Sequence, residues 1–238
     1  MIIYKFAFYL IGFIDENIAM DKKALFGLTV FIILCQEMPV NAQTRFSIYA
    51  DPIVSWFRDD RNTQSHGIVP GIRAGLGMDH FFAENYAVTT DLLILHAGGK
   101  LSYADSILIQ TAEKMDTLPK GSILKYRIRY LSTPLGLKFT TDEIGYLTFY
   151  ARVGFNPMFR LGAQGRIKVH ALDKSDISEE VGRINLGYYI GIGAYYSLGG
   201  NTSLVVGLNY TGGMVDVTKK SLDQVMMSHL GLQLGILF

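Results

Sequence analysis

The sequence is poor in cysteine, tryptophan, proline and charged residues. Its 238 residues include one Cys, one Trp and six Pro, and only 18% of them are charged. A single Cys excludes a disulfide scaffold and any multi-cysteine metal site. The formal net charge of +1 lacks the excess of basic residues that is typical of nucleic-acid-binding proteins, so no nucleic-acid partner is expected. Because 49% of the residues are apolar, the shortage of charge also excludes an intrinsically disordered chain.

The N-terminal region has the pattern of a cleavable signal peptide over residues 20–42. Lys22 and Lys23 precede a short apolar run, and small residues lead to a cleavage position after Ala42. The run is shorter than the roughly 20 residues of a membrane-spanning helix. A membrane anchor and a lipoprotein signal at Cys35 are the alternatives.

A second apolar stretch lies ahead of this signal, in residues 1–19. Signal peptides rarely follow another hydrophobic segment, so these residues are interpreted as an over-extended start that is not translated or is removed. The mature protein is then expected to be a single domain of residues 43–238, without cysteine.

Glycine and aromatic residues are abundant, with 25 Gly, 14 Tyr and 14 Phe. Many of them fall in windows where apolar residues alternate with less apolar ones. The clearest window is 184–198, with Ile, Leu, Ala and Tyr at even positions and Gly, Asn, Ser and Tyr at odd positions. A period of two over this length predicts a long strand, and Gly199-Gly200-Asn201 predicts a hairpin turn after it.

Eight windows of this kind predict an all-β fold, an eight-stranded antiparallel up-and-down transmembrane β-barrel with a filled lumen. Short turns alternate with longer loops near 58–66, 99–122, 157–183 and 213–225. The phase of the apolar residues changes within 123–139, which predicts a bulge near Tyr130-Leu131. The eight windows are residues 46–56, 68–79, 87–95, 123–139, 147–156, 184–198, 203–211 and 229–238.

The composition of the two faces favours a membrane barrel over a soluble lipocalin-like barrel. The less apolar face is Gly, Ser, Asn, Thr and Tyr with isolated charges, which suits a crowded lumen better than a solvated exterior. Aromatic residues near the strand ends fit interfacial girdles. These residues are Trp56, Phe57, Phe81, Phe82, Phe139, Tyr146 and Phe238.

Three stretches and the aromatic C-terminus resemble the PorT-like outer-membrane β-barrel family of Bacteroidota. The stretches are YLSTPLGLKF at 130–139, GYYIGIGAYYSLGG at 187–200 and LNY at 208–210. The resemblance implies a small porin-like barrel of the outer membrane. Its named member is associated with protein secretion and gliding, which implies secretion-complex proteins as partners. Many relatives carry an acidic residue where Ser132 stands, so one lumen charge of that family is absent here.

Seven charged residues are expected on the lumen face. Unpaired charges are costly in a narrow lumen of low dielectric, so four basic and three acidic positions predict a paired network that seals the barrel. The alternative is a narrow ion or proton pathway. The seven residues are Arg45, Asp51, Arg73, Asp79, Asp91, Lys138 and Arg152.

No catalytic site, metal site or cofactor is predicted. The five His residues show no metal-ligand spacing. Ser228-His229 is an adjacent Ser–His pair, but consecutive residues of a strand point to opposite faces and cannot easily act as nucleophile and base.

The sequence therefore predicts a non-enzymatic outer-membrane protein with a structural or interaction role, an accessory of secretion or gliding machinery. Both termini are expected in the periplasm and the long loops outside the cell. Partners are expected to be outer-membrane lipid and the barrel-assembly machinery, which would read Phe238 as an assembly signal. Two alternatives are a narrow channel for small solutes or hydrophobic molecules and an outer-membrane lipid-modifying enzyme.

Overall fold

The computed structural model describes most of the predicted mature chain. The interpretations of residues 1–19 and 20–42 lie outside the described residues. Those residues are 43–58, 63–103, 107–110, 115–118, 122–167, 175–178, 181–218 and 225–238.

Thirteen β-strands occur in the described part of the chain. No helix within it is long and apolar enough to cross a membrane. The strands are β1 (Thr44–Arg58), β2 (Thr63–Ser65), β3 (Val69–Ala83), β4 (Tyr86–Tyr103), β5 (Ile107–Gln110), β6 (Met115–Leu118), β7 (Ile123–Ser132), β8 (Leu135–Thr140), β9 (Leu147–Ile167), β10 (Ser175–Asp176), β11 (Ile184–Gly199), β12 (Thr202–Gly213) and β13 (Met226–Leu237).

Nine of these strands close into a ring of antiparallel pairs. The order is β1, β3, β4, β7 with β8, β9, β11, β12 and β13, and β13 pairs again with β1. Because β7 and β8 lie end to end between β4 and β9, the ring has eight positions. The predicted eight-stranded up-and-down barrel is confirmed. Strands β2 and β10 extend its edge, and β5 and β6 form a separate hairpin.

One end of the barrel holds the short connections and the other holds the long ones. The turn end carries Gln43, Phe238 and the hairpin turn at Gly200-Asn201, where Gly199 and Gly200 have positive φ values of 102° and 61°. Only glycine adopts such values readily, so these two residues fix the turn. The loop end carries the connections that follow β1, β4, β9 and β12.

The outer surface near the turn end is a continuous apolar belt. On β11, Ile190 and Ile192 are more than half exposed, whereas Tyr189 and Tyr195 on the opposite face are buried. On β1 the belt runs from Phe46 to an aromatic cluster in which the Trp56 and Tyr210 rings lie 6.3 Å apart. Ten residues of strand tilted by about 40° span about 25 Å along the barrel axis, the height of a lipid-facing band. This face therefore contacts lipid.

Two strands extend well beyond the windows predicted for them. β4 continues through residues 96–103 and β9 through 157–167, so the predicted loops 99–122 and 157–183 are partly strand. The physical reason is a reversal of polarity. Nearer the turn end, the large apolar residues that were predicted for β4 lie on its outward face. Nearer the loop end, the inward face carries apolar residues instead, namely Leu95, Ala97 and Leu101.

The prediction of a bulge near Tyr130-Leu131 is wrong for β7, the strand that contains these residues. Tyr126, Ile128, Tyr130 and Lys138 all point inward, so alternation continues without a break from β7 into β8. The extra residue lies in the neighbouring strand, because Arg129 pairs with Gly162 whereas Tyr130 pairs with Arg160. The sequence shows an apparent phase change here because, at this level of the barrel, the inward residues change from apolar to charged.

Two residues of the predicted girdles are also assigned wrongly. Phe57 is fully buried and Phe81 nearly so, because both belong to the inward-facing set of their strands. Phe57 joins an apolar cluster inside the loop-end half, here called the loop-end core. Its members are Ile53, Phe57, Leu95, Ala97, Leu101, Leu124, Tyr126, Ile128, Tyr130, Met158, Ala163, Ile177, Val181, Val217, Val225 and Met227.

Candidate functional site

Six buried charged residues cross the lumen as three ion pairs, here called the charge layer. The Arg73 Nε lies 2.9 Å from the Asp51 Oδ2, and the Arg152 Nη1 lies 3.0 Å from the Asp91 Oδ2. Lys138 Nζ donates to Asp79 Oδ2. All six side chains are at most 3% exposed. The six come from β1, β3, β4, β8 and β9, so the pairs tie much of the ring together.

A chain of neutral hydrogen bonds extends the Asp91–Arg152 pair across the lumen. The Arg152 Nε donates to the Asn209 Oδ1 at 2.9 Å. Both the Asn209 amide and the Tyr150 hydroxyl donate to the Gln233 Oε1, at 2.9 Å and 2.8 Å. Strands β4, β9, β12 and β13 are thereby linked through buried polar groups, and within this chain of bonds the Asp91 Oδ1 has no hydrogen-bond partner among the described residues.

Aromatic rings pack against the cations of the charge layer. Tyr150 and Tyr195 stack with centroids 4.7 Å apart, and the Lys138 Nζ lies 5.4 Å and 5.6 Å from their centroids. Glycines make room for these side chains. An added Cβ at Gly191 would lie 2.9 Å from the Arg152 Cγ, so a larger residue there would displace the cation.

Asp51 also compensates for an interruption in the β1–β13 ladder. Backbone pairing is lost between the Tyr49–Gly235 and Ile53–Gly231 pairs. Pro52, which lies in this interval, has no N–H to donate. The Asp51 Oδ1 accepts a hydrogen bond from the Leu234 N–H at 3.0 Å, while its Oδ2 binds the guanidinium of Arg73.

Arg45, the seventh predicted lumen charge, lies apart from the charge layer. It is half-buried at the turn end, where its Nη2 donates to the Gln43 Oε1 at 3.2 Å and its guanidinium lies 5.0 Å from the centre of the Phe81 ring. It lines a mouth of about 400 Å³ together with Glu84 and Asp142.

The loop-end core fills the lumen on the other side of the charge layer. The rings of Phe57 and Tyr126 meet edge to face at 5.6 Å. Met158 and Ile128 are 0% and 1% exposed. The lumen is therefore occupied at two successive levels, first by paired charges and then by apolar side chains.

The two residues considered for nucleophilic chemistry leave the sheet on opposite faces. Register places His229 beside Ser55 and Thr211 on the inward face, whereas Ser228 lies beside Trp56 and Gly212 on the outward face. Within the described ranges, no group of three or more His, Cys, Asp and Glu side chains is placed to hold a metal ion.

Sequence reasoning missed the neutral lumen partners and a group of outward cations near the loop end. Asn209, Gln233 and Tyr150 give no signal beyond strand parity. The outward cations do give one, since Lys125, Arg127 and Arg129 alternate with inward apolar residues. Such reversed alternation indicates a strand whose outer face meets water.

A family model described as the outer membrane protein beta-barrel domain matches residues 38–219, well over half of the chain. Among curated proteins, no relative matches this sequence.

Three of the solved structures to which this chain is similar have low sequence identity to it. Neisserial surface protein A is 12% identical, with 81% of this chain and 95% of that chain covered and a TM-score of 0.43. The attachment invasion locus protein Ail of Yersinia pestis is 16% identical, with coverages of 82% and 97% and a TM-score of 0.42. OprG from Pseudomonas aeruginosa is 13% identical, with coverages of 83% and 97% and a TM-score of 0.44.

Proposed function

This chain belongs to the outer membrane protein beta-barrel domain family, and from that premise we propose that it is a non-enzymatic, non-conducting barrel with an interaction role. The observation that carries the proposal is the double obstruction of the lumen. A solute that enters from the turn end meets three buried ion pairs, and beyond them it meets the loop-end core. Opening such a lumen requires breaking buried ion pairs, which is strongly unfavourable.

The turn end is assigned to the periplasm and the loop end to the outside of the cell. This orientation rests on the connections, since bacterial outer-membrane barrels have short periplasmic turns and longer extracellular loops. Gln43, the first described residue, and Phe238 lie at the turn end. Phe238 lies next to the last residue of β13, its side chain is exposed, and its backbone N–H donates to the Phe46 carbonyl at 2.8 Å. That exposed aromatic side chain beside β13 supports its proposed role as the assembly signal.

Conductance in planar bilayers tests the closed lumen. The wild-type barrel is expected to give no steady ohmic channels. Tyr150→Gly combined with Phe57→Gly removes one ring from the charge layer and one from the loop-end core, and the combination is expected to produce channels or leak. Tyr196→Gly combined with Phe139→Gly removes two outward aromatic side chains and serves as the matched control. Steady channels in the wild type would overturn the proposal in favour of the narrow-channel alternative.

The interaction role is assigned to the loop end, with components of secretion or gliding machinery as the partner class. The support is the resemblance of residues 130–139 and 187–200 to the PorT-like family. Affinity purification of the tagged protein from gently solubilised outer membranes is expected to recover secretion components in fixed stoichiometry. Recovery of the barrel alone after chemical cross-linking would count against this partner class while leaving the closed lumen standing.

The geometry of the candidate nucleophile supports the non-enzymatic part of the proposal. Ser228 and His229 emerge on opposite faces of β13, so neither side chain is placed to activate the other. Incubation of the folded protein with radiolabelled outer-membrane lipid, followed by chromatography, is expected to return the lipid unchanged. Release of a fatty acid that is lost in Ser228→Ala would restore the lipid-modifying alternative.

A further inference from the structure

Near the loop end, the outward face of β7 carries a column of cations. Lys125, Arg127 and Arg129 alternate with the inward Tyr126 and Ile128. The column lies on a wall formed by β4, β7 and β9, of which β4 has 18 residues and β9 has 21.

Register adds cations on both sides of this column. Lys125 pairs with Lys100 on β4 and with Arg166 on β9, so three cations stand side by side across three strands. His96 stands beside Arg129 in the same way. The pKa of Lys125 is lowered, first by partial burial and then by Arg127, Lys100 and Arg166. The five cations Lys100, Lys125, Arg127, Arg129 and Arg166 are called the basic wall below.

Among the residues that the structure describes, no acidic residue is in register with Lys100, Lys125, Arg127 or Arg129 on the paired strands β4, β7 and β9. Lys100, Lys125, Arg127 and Arg129 form no ion pair with any residue that the structure describes. In the described part of the chain, Asp176 is in register with Gln164 on the far side of β9. Like charges placed directly across a sheet are destabilising, so this arrangement favours an external anion.

The height of the basic wall relative to the apolar belt determines which kind of anion it meets. Leu131, an outward apolar residue at the edge of the apolar belt, lies two positions nearer the turn end than Arg129, so Arg129 lies about 5 Å above that edge. Leu161 and Ile94 are exposed on the neighbouring strands at that edge. Arginine at this height meets the headgroup layer of the membrane rather than its hydrocarbon.

A cavity at this level combines cationic and apolar lining. It measures about 610 Å³, and its walls include Arg127, Arg129, His96, Ile72 and Leu161. The Arg129 side chain turns toward β9, because an added Cβ at Gly162 would lie 3.4 Å from its Nη2. A ligand that fits must therefore present anionic groups toward the loop end and hydrocarbon toward the belt.

We propose that the basic wall binds the phosphate groups of a phosphorylated lipid of the outer leaflet, the class to which lipid A belongs. The arginines present paired N–H donors suited to phosphate oxygens. The acyl chains lie on Ile94, Leu131 and Leu161, which a soluble anion would leave uncovered. The proposal goes beyond the closed barrel, and it uses the proposed orientation only to name the leaflet.

Native mass spectrometry of the folded protein, titrated with bisphosphorylated lipid A in detergent, tests the site. Arg127→Gln with Arg129→Gln is expected to weaken binding roughly 30-fold, since each basic residue near a membrane surface raises the affinity for anionic lipid roughly fivefold. The matched control is Arg45→Gln with Arg58→Gln, which removes the same charge elsewhere and is expected to change affinity less than twofold. Arg127→Lys with Arg129→Lys keeps the charge and is expected to retain most of the affinity.

Two further titrations separate the lipid from other anions. Dephosphorylated lipid A is expected to bind the wild type as weakly as lipid A binds the double glutamine variant. Inorganic tripolyphosphate is expected to compete only weakly, because it cannot cover the apolar edge. Equal losses in the control variant, or tripolyphosphate binding as tight as that of lipid A, would overturn the proposal. Because these measurements are made in detergent, failure would leave the closed lumen and the orientation untouched.

Discussion

The two halves of this barrel have opposite polarity on the same continuous strands. Toward the turn end, Lys138 points into the lumen and Leu137 points to lipid. Toward the loop end, Ile128 points into the lumen and Arg127 points outward. Strand alternation is the same in both halves, so the change lies in the surroundings. Where lipid covers the exterior, polar side chains must find partners inside; where water covers it, apolar burial inside stabilises the fold.

The largest expected effect comes from breaking an ion pair of the charge layer. Arg152→Met leaves Asp91 charged and without its cation in a buried lumen, so the free energy of unfolding is expected to fall by about 3–5 kcal/mol. Urea unfolding in lipid vesicles measures the loss. Adding Asp91→Asn removes the stranded charge and is expected to recover at least half of it. A loss below about 1 kcal/mol for Arg152→Met would mean that solvent reaches this level of the lumen, contrary to the comparison.

A positive charge placed on the outer surface should distinguish the half that lipid surrounds from the half that water surrounds most directly. Leu208→Arg puts a cation into the apolar belt on β12 and is expected to cost about 2–4 kcal/mol. Gln164→Arg puts it on the outward face of β9 near the loop end, opposite Arg127, and is expected to cost less than about 0.5 kcal/mol. The two variants are compared by urea unfolding in the same vesicles. Equal costs at the two positions would show that lipid reaches both levels.

The sequence predicted the half that lipid surrounds better than the half that water surrounds. Alternation placed Ile192 outside and Tyr189 inside, and strand parity identified the six members of the charge layer. It did not identify their pairing, since which cation meets which anion depends on strand register and barrel closure. Near the loop end a rule of apolar outside and polar inside fails, so Phe57 and the continuation of β9 were assigned wrongly.

A smaller contrast concerns the removal of one methyl group. Ile128→Val leaves a space in the loop-end core that no solvent fills, and it is expected to cost about 0.5–1.5 kcal/mol. Ile192→Val removes the same group from the belt, where acyl chains move into the space, so its cost is expected to lie below about 0.5 kcal/mol. Parallel urea titrations in vesicles give both values. A cost for Ile192→Val that matches that of Ile128→Val would mean that the belt is packed against protein rather than lipid.

The smallest expected effect is a gain in stability from Lys125→Gln. Lys100 and Arg166 flank Lys125 across the sheet, so removing the central charge is expected to stabilise the barrel by about 0.2–0.5 kcal/mol at low salt. The lowered pKa of Lys125 implies that the folded state releases this proton before the unfolded chain does, so the penalty fades as the pH rises through that pKa. Urea unfolding in zwitterionic micelles measures the gain, and Lys125→Arg, which keeps the charge, is expected to show none. With bisphosphorylated lipid A present, Lys125→Gln is expected to destabilise the barrel instead. The lipid phosphates then attract the Lys125 charge, which Lys100 and Arg166 repel when no lipid is bound. A gain that is unchanged in high salt would contradict this, since repulsion between partly exposed charges is screened.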